Sequence, residues 1–197
     1  MEFNWEDVEV NHYSGHRNCK YAASPADIEK NGTTCPVCKR RVTEGVDIRI
    51  KQLADEKLKG RAIVKKDNAG VMWYADKLGL QPPYVKLVPL LEIVAEAMYS
   101  TVASQKSKMI FADLCKRLGS EMEVLLKVST KEIEKVAGER VAEGVGLARA
   151  GKLVIHPGYD GEYGVVRIWD APAGASLRKR RRNAVKKVVK GQTLLDI

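Results

Sequence analysis

Two short pairs of metal-ligand residues near the N-terminus constrain the fold of this chain more than any other feature. His16 and Cys19 are separated by two residues, and Cys35 and Cys38 repeat that spacing further along the chain. Each spacing allows a tight turn to direct two ligand atoms at one ion, and two such turns complete a tetrahedral zinc site. Thiolates and an imidazole leave no open position for water, so we expect one Zn²⁺ with a structural role.

Other interpretations of these residues remain open. Cys35 and Cys38 could form a redox pair or a disulfide, but such a pair usually begins a helix in a thioredoxin-like unit. Here a Thr-Thr-Cys-Pro turn leads into the strand-like residues 41–43, which favours zinc. His12 is the reserve candidate for the position assigned to His16. Cys115 lies in an apolar helical pattern, and we interpret it as a buried thiol.

The composition predicts a soluble protein with one hydrophobic core and a small metal-stabilised module. The chain has 197 residues, of which 45% are hydrophobic. It has no signal-peptide pattern and no apolar run of the roughly 18 residues that a membrane span needs, which predicts a cytoplasmic, nucleoid-associated protein. The net charge of +9 is concentrated in residues 178–197, which contain eight Lys or Arg and one Asp.

Periodicity and turn signals predict an α+β fold in three parts. A zinc-ribbon-like module over residues 1–57 precedes a mainly helical domain over 58–171, which ends in a β-hairpin, and a basic flexible tail over 172–197. Residues 60–80 show no clear period. The predicted elements are a strand over 46–50, helices over 52–55, 87–99, 107–118, 120–126, 129–137 and 139–151, and hairpin strands over 152–156 and 164–169.

Two segments of the predicted helical domain suggest nucleic-acid binding. The turn at Gly138 loosely resembles a helix-hairpin-helix, which offers backbone amides to a phosphate, although a simple packing junction between two helices has the same pattern. The hairpin loop carries Tyr159 and Tyr163 among several glycines. These rings could stack on bases or wedge into a duplex, or they could cap the protein core.

Several motifs, taken in order, resemble the C-terminal half of the endonuclease Q family of DNA repair enzymes, over roughly residues 10–170. That family nicks DNA on the 5′ side of deaminated bases, such as uracil and hypoxanthine, and of abasic sites. The motifs are Gly15-His16-Arg17-Asn18-Cys19, Cys35-Pro36-Val37-Cys38, Gln52-Leu53-Ala54-Asp55, Pro82-Pro83-Tyr84, Leu91-Glu92-Ile93-Val94-Ala95-Glu96-Ala97, Leu118-Gly119-Ser120-Glu121 and Pro157-Gly158-Tyr159-Asp160-Gly161-Glu162-Tyr163-Gly164.

The resemblance also implies a missing part. The family carries an N-terminal catalytic domain of the polymerase-and-histidinol-phosphatase (PHP) type, whose metal cluster needs several histidines, beginning with a His-x-His pair. This chain has three histidines and no His-x-His pair. We therefore expect no catalytic residues and no DNA cleavage by this chain alone. A PHP-type domain or separate subunit would supply the catalysis, and this chain would recognise lesions in double-stranded DNA.

The expected DNA contacts fall into three groups, with a fourth group for a protein partner. They are phosphate contacts at Arg17, Arg40, Arg41 and Arg49; base contacts at Tyr159 and Tyr163; tail contacts at Arg178, Lys179, Arg180, Arg181 and Arg182; and a sliding-clamp-binding peptide with Gln192, Leu195 and Ile197. The same arginines could be merely solvated, and the tail merely solubilising. The alternative function is a zinc-ribbon adaptor that binds RNA or a protein, without a repair role.

Overall fold

The fold mixes helices with small sheets, which confirms the predicted α+β class. The computed structural model describes residues 2–3, 12–53 and 62–170, and these ranges contain seven α-helices and eight β-strands. They form two compact units, the first holding the described residues up to Val88 together with Gly146–Arg167. The second holds Pro89–Val145 and residues 168–170. The predicted domain boundaries and the basic tail lie outside the described residues.

In the first unit, short elements surround the predicted metal ligands. Strands β2 (Ser14–His16) and β3 (Tyr21–Ala23) pair antiparallel and lead into helix α1 (Pro25–Asn31). The α1 helix begins with a capping box, in which the Ser24 hydroxyl and the Asp27 carboxylate each accept a backbone N–H of the other residue. Local hydrogen bonds therefore fix the direction in which the chain leaves the first ligand pair.

The strand predicted over residues 46–50 is wrong, because this segment forms helix α2 (Val46–Leu53). The sequence alternates apolar and polar residues as a strand does, but Val46, Ile50 and Leu53 also follow helical spacing. Asp47 lies in the first turn, where a negative charge interacts favourably with the helix dipole. Its backbone N–H donates to the carbonyl of His12. The short segment satisfies both periods, and contacts outside it select the helix.

A four-stranded sheet occupies the region in which the sequence shows no clear period. Its strands are ordered β1 (Glu2–Phe3), β6 (Tyr84–Leu87), β5 (Met72–Asp76) and β4 (Ala62–Lys66), with β1 parallel to β6 and the other pairs antiparallel. All five residues of β5 are half-buried, and β4 is an edge strand that is mostly exposed. Neither strand therefore shows the alternation that would reveal it in sequence.

The second unit is helical, as predicted, and has an apolar core. Its helices are α3 (Leu90–Ala97), α4 (Gln105–Leu118), α5 (Glu121–Leu126), α6 (Thr130–Ala137) and the start of α7 (Glu139–Arg149). The predicted capping boxes at Ser120 and Ser129 are both confirmed. The helix predicted from residue 87 begins only at Leu90, because β6 extends to Leu87. The large apolar side chains with no exposed surface are Leu90, Ile93, Val94, Leu114, Val124, Leu125, Ile133, Val141 and Val145.

The predicted C-terminal hairpin is confirmed in the first unit. Strands β7 (Val154–His156) and β8 (Val165–Arg167) pair antiparallel, with Ile155 opposite Val166. The loop between them carries the two tyrosines singled out in the sequence. Among the described residues, none of the helices combines the length and the apolar character that crossing a bilayer requires.

Candidate metal centre and its surroundings

The two ligand pairs sit in turns of similar shape. After His16, residues Arg17–Cys19 form a 3-10 turn. The turn ends at Lys20, whose backbone N–H donates to the Arg17 carbonyl at 2.9 Å. After Cys35, the Lys39 N–H donates in the same way to the Cys35 carbonyl at 2.9 Å. Lys20 and Lys39 have φ angles of 51° and 61°, in the left-handed region that closes a tight turn.

These turns bring all four predicted ligands together. The ligand atoms of His16, Cys19, Cys35 and Cys38 lie within 4.8 Å of one another. The Sγ atom of Cys38 is 3.1 Å from Nδ1 of His16, so Nδ1 is the histidine atom that faces the thiols. Among the described residues, the reserve candidate His12 is outside this group, as is Cys115. Cys115 is half-buried, and burial raises the pKa of its thiol.

The thiols of the cluster differ in how readily they ionise. Burial raises the pKa of Cys19 to about 11, and hydrogen bonds with Cys38 and Cys35 add to this rise. Burial also acts to raise the pKa of Cys35, but hydrogen bonds from the backbone of Cys38 and from His16 outweigh it and lower that pKa to about 6. Without a cation, several thiolates cannot share so small a space, because each raises the pKa of the others.

A metal cation fits this donor set. Three sulfur ligands and one imidazole nitrogen at such separations match the Cys₃His set of a closed structural site. The cation would be held by His16, Cys19, Cys35 and Cys38, and its positive charge would keep the thiols ionised. The bound cation would therefore link two turns that are distant in sequence. The arrangement offers no ligand-free position at which a substrate could bind.

Asp160, which the sequence did not single out, ties the hairpin loop to the first ligand pair. Its Oδ2 accepts the backbone N–H of Arg17 at 2.7 Å, and its Oδ1 accepts the Thr43 hydroxyl at 2.6 Å. The bonds from Thr43 and then from Arg17 lower the pKa of this carboxyl below its ordinary value. One acidic side chain thus links the hairpin loop to two segments that lie 143 and 117 residues earlier in the sequence. Only its place among turn residues could have drawn attention to it.

The two candidate tyrosines have different environments. Tyr159 pairs with Tyr13 through a β-bridge, and its ring lies against Gly15, where an added Cβ would stand 2.4 Å from the ring atom Cδ2. Gly15 is therefore needed for this close approach. Tyr163 is 80% exposed. Tyr159 packs in the manner of a supporting side chain, whereas the ring of Tyr163 is open to solvent.

The four candidate arginines are exposed around the ligand turns and helix α2. The guanidinium of Arg17 lies beside Gly161 of the hairpin loop, 3.2 Å from the position of an added Cβ. Arg41 forms an ion pair with Glu44 at 2.5 Å, and Arg49 donates to Gln52 at 3.2 Å. The tail positions 178–182 and the peptide 192–197 lie outside the described residues.

The candidate phosphate site at Gly138 is a junction between α6 and α7. Gly138 has a φ angle of 88°, and its backbone N–H donates to the Glu134 carbonyl at 2.8 Å. This amide therefore closes helix α6 and is not directed at a ligand. The geometry favours the packing-junction interpretation that the sequence left open.

Comparison with known proteins identifies relatives of both units. The family described as the MJ0043 C-terminal domain matches residues 89–152. The uncharacterised protein MJ0043 of Methanocaldococcus jannaschii is 28% identical over 155 residues, which are 79% of this chain and 18% of that protein. The chain thus spans about a fifth of the curated relative that it matches.

Solved structures of endonuclease Q are similar in fold. The lesion-specific endonuclease PfuEndoQ from Pyrococcus furiosus matches with a TM-score of 0.60 and 28% identity, over 85% of this chain and 38% of that chain. A second match is an endonuclease Q complex with a 27-mer duplex substrate that has an abasic lesion at the active site. Its TM-score is 0.58, over 85% of this chain and 39% of that chain. The resemblance predicted from the ordered motifs is therefore confirmed as a similarity of sequence and fold to a part of endonuclease Q.

Proposed function

We propose that this chain is the DNA-binding, lesion-recognising part of an endonuclease Q-like repair nuclease that nicks 5′ to deaminated bases and abasic sites. The observation that carries the proposal is the likeness to endonuclease Q over 85% of the chain, which includes a neighbour solved with an abasic duplex. In this proposal a PHP-type domain or a separate subunit performs the cleavage. The role of this chain is to bind the duplex and to present the damaged nucleotide for cleavage.

The metal in this proposal is one Zn²⁺ with a structural role. Its support is the donor set of His16, Cys19, Cys35 and Cys38, whose soft thiolates suit zinc better than Mg²⁺ or Ca²⁺. The ion fixes the two ligand turns, and Asp160 attaches the hairpin loop to the first of them. The surface that results is rigid because the ion links two of its segments and Asp160 links the third to them.

The DNA-facing surface in this proposal centres on Arg17 and Tyr163. Arg17 follows a metal ligand directly, and its guanidinium lies beside the hairpin loop that carries the exposed Tyr163. A cation and an open aromatic ring can serve as a phosphate contact and a wedge or stacking group. Extrusion of a base costs a few kcal/mol, and less at a mismatched or damaged site, so a uracil opposite guanine or an abasic site is already partly selected.

The basic tail and the terminal peptide have supporting roles in the proposal. Residues 178–182 add affinity for phosphates without sequence choice, and the peptide at 192–197 binds a sliding clamp. Deletion of 192–197 should abolish clamp binding in a pull-down and leave DNA affinity unchanged. A parallel loss of both activities would contradict the clamp assignment.

The test compares affinities for matched duplexes at one salt concentration. We expect tighter binding to a uracil-containing or abasic duplex than to the undamaged duplex, and this preference should survive removal of residues 178–197. The Arg17→Gln variant should weaken binding more than the Arg49→Gln variant on helix α2, because Arg49 already donates to Gln52. We expect nicking only when a PHP-type catalytic subunit is added.

Equal affinity for damaged and undamaged duplexes, without nicking in the presence of that subunit, would refute the repair function. Binding that depends entirely on the tail and ignores the lesion would instead indicate the adaptor alternative. Nicking by the purified, metal-loaded chain alone would contradict the assignment of catalysis to a separate part.

A further inference from the structure

One face of the four-stranded sheet carries a row of apolar and aromatic side chains. Val64 of β4 lies opposite Tyr74 of β5, which in turn lies opposite Tyr84 of β6. Residues directly opposite each other on antiparallel strands project from the same face of a sheet. The rings of Tyr74 and Tyr84 stack, with centroids 5.3 Å apart and planes inclined by 17°. The row therefore crosses three strands.

On β4 and β6 this face is open, and Tyr74 between them is half-buried, whereas the other face is buried on β6. Val64 is 49% exposed and Tyr84 is 36% exposed. On the opposite face of β6, Val85 and Leu87 are only 2% and 0% exposed. Packing of the protein core accounts for the buried side chains of β6. It does not account for a stacked tyrosine pair on the other side of the sheet.

Two lysines lie on the same face, both on one side of the row. Lys66 follows Val64 by two residues and Lys86 follows Tyr84 by two, so each lies about 7 Å further along its strand. Asp76 of β5 lies on the same face and accepts the backbone N–H groups of Leu78 and Leu80 at 3.2 and 3.0 Å. Its carboxylate is therefore engaged in the turn that follows β5. Glu2 of β1 is the register partner of Lys86, which leaves Lys66 on the edge strand β4 as the cation assigned to a phosphate.

We propose that this sheet face binds an unpaired DNA strand. A base stacks on the ring of Tyr84, which Tyr74 supports from behind, and Lys66 contacts a phosphate of the same strand. Stacking on an aromatic ring is tolerant of sequence because every base has a π-face. Protein partners fit this face less well, since lysine is depleted in the cores of protein interfaces. The proposal does not rest on lesion recognition.

The test measures binding of a fluorescent oligo(dT) strand to the full chain by anisotropy. Tyr84→Ala should weaken binding about 5-fold or more, and Tyr84→Phe, which keeps the ring, should stay within about two-fold of wild type. Lys66→Ala should weaken binding and reduce the slope of log affinity against log salt by about 0.7. The matched control is Lys65→Ala, because Lys65 is exposed on the same strand, pairs with Trp73 and projects from the opposite face.

A second measurement reports on stacking directly and is independent of the basic tail. An oligonucleotide that carries 5-iododeoxyuridine should crosslink to Tyr84 or Tyr74 on irradiation, as mapped by mass spectrometry. Circular dichroism and thermal melting of each variant check that the sheet remains folded.

Two results would overturn the proposal. One is that Tyr84→Ala and Lys66→Ala bind like Lys65→Ala while the crosslinks map elsewhere. The other is that Tyr84→Phe loses as much affinity as Tyr84→Ala, which would exclude stacking. A missing preference for damaged duplex, with oligo(dT) binding intact, would refute the repair function and leave this face assigned.

Discussion

The metal-ligand region, residues 12–53, and the helical region, residues 89–145, are stabilised by different means. Three hydrophobic residues of the first region are buried, namely Ala23, Cys35 and Val42, and one of these, Cys35, belongs to the candidate metal cluster. In the helical region nine large side chains have no exposed surface at all. The comparison teaches that the first region depends on its ligands and hydrogen bonds, while the second depends on hydrophobic burial.

This difference suits the roles that we propose for the two regions. A module with little apolar core exposes most of its side chains, so positions such as Arg17 are available for binding. A helical body with a tight core tolerates little change inside but holds its shape without a metal. The predictions below test whether the two regions indeed respond to different perturbations.

The largest effect should come from removing a ligand. Cys38→Ser should abolish the binding of one Zn²⁺ and unfold the ligand turns, because structural zinc supplies folding free energy directly. Elemental analysis gives the metal content, and circular dichroism should still show most of the helix. In the control variant Cys115→Ser, metal content should be unchanged. Complete loss of helix in Cys38→Ser would show that the helical region also depends on the metal ligands.

The converse change should act on the helical region alone. Leu114 of α4 has no exposed surface, so Leu114→Ala should lower the free energy of unfolding by about 2–5 kcal/mol. Denaturant unfolding followed by circular dichroism measures this loss. A chelator titration should show undiminished zinc affinity, and a matched substitution of the exposed Leu53, Leu53→Ala, should cost far less. Equal losses for the two leucines would show that the helical core is not the main source of stability.

A smaller effect is expected at the hydrogen-bonding carboxylate of the metal-ligand surroundings. Asp160→Asn keeps the shape but weakens the bonds to the Arg17 N–H and the Thr43 hydroxyl, at a cost of about 1 kcal/mol for a partly exposed site. Hydrogen exchange should show faster exchange at the Arg17 amide, with helical amides unaffected. Unchanged protection of that amide would mean that Asp160 does not hold the loop.

The smallest effect concerns the helix caps and depends on pH. Hydrogen bonds from the Ser120 backbone and hydroxyl lower the pKa of Glu123 below its ordinary value, which is about 4.3 in unfolded chains. Because the folded pKa is the lower one, this stabilisation is present above the ordinary pKa and is lost as the pH falls through the folded value. Ser120→Ala should return the pKa of Glu123 towards its ordinary value, as measured by NMR of the side-chain carboxyl carbon.

The paired Ser129 cap serves as the internal reference for that measurement. The same kind of hydrogen bonds lowers the pKa of Glu132, and Ser120→Ala should leave this second carboxyl unchanged. A shift of both groups would indicate a general change in the helical region and not the loss of one cap.

Short-range signals were sufficient for several features of the fold and of the site. The spacing within each pair identified the residues that share a turn, because a turn of four residues is determined by its own atoms, and the repeated spacing predicted that the two pairs meet. The capping boxes at Ser120 and Ser129 were identified for the same reason. The α+β class and the hairpin also followed from local patterns.

Features that depend on distant partners could not be read from the sequence. Residues 46–50 fit both a strand and a helix, and the contact with His12 lies outside the segment. Strands β4 and β5 show no alternation of apolar and polar residues, because the solvent exposure of each residue depends on the neighbouring strands.

The sequence by itself determined which residues form the candidate metal cluster, where the caps of the helical unit lie and where the hairpin turns. Only the tertiary structure decided that Asp160 joins the hairpin loop to the first ligand turn, that Tyr159 supports while Tyr163 is exposed, and that Tyr74 and Tyr84 stack on an open sheet face. The physical reason is the distance along the sequence between the residues that interact. Turns and caps are fixed by bonds between residues a few positions apart, whereas burial and cross-strand register are set by chain segments that folding alone brings together.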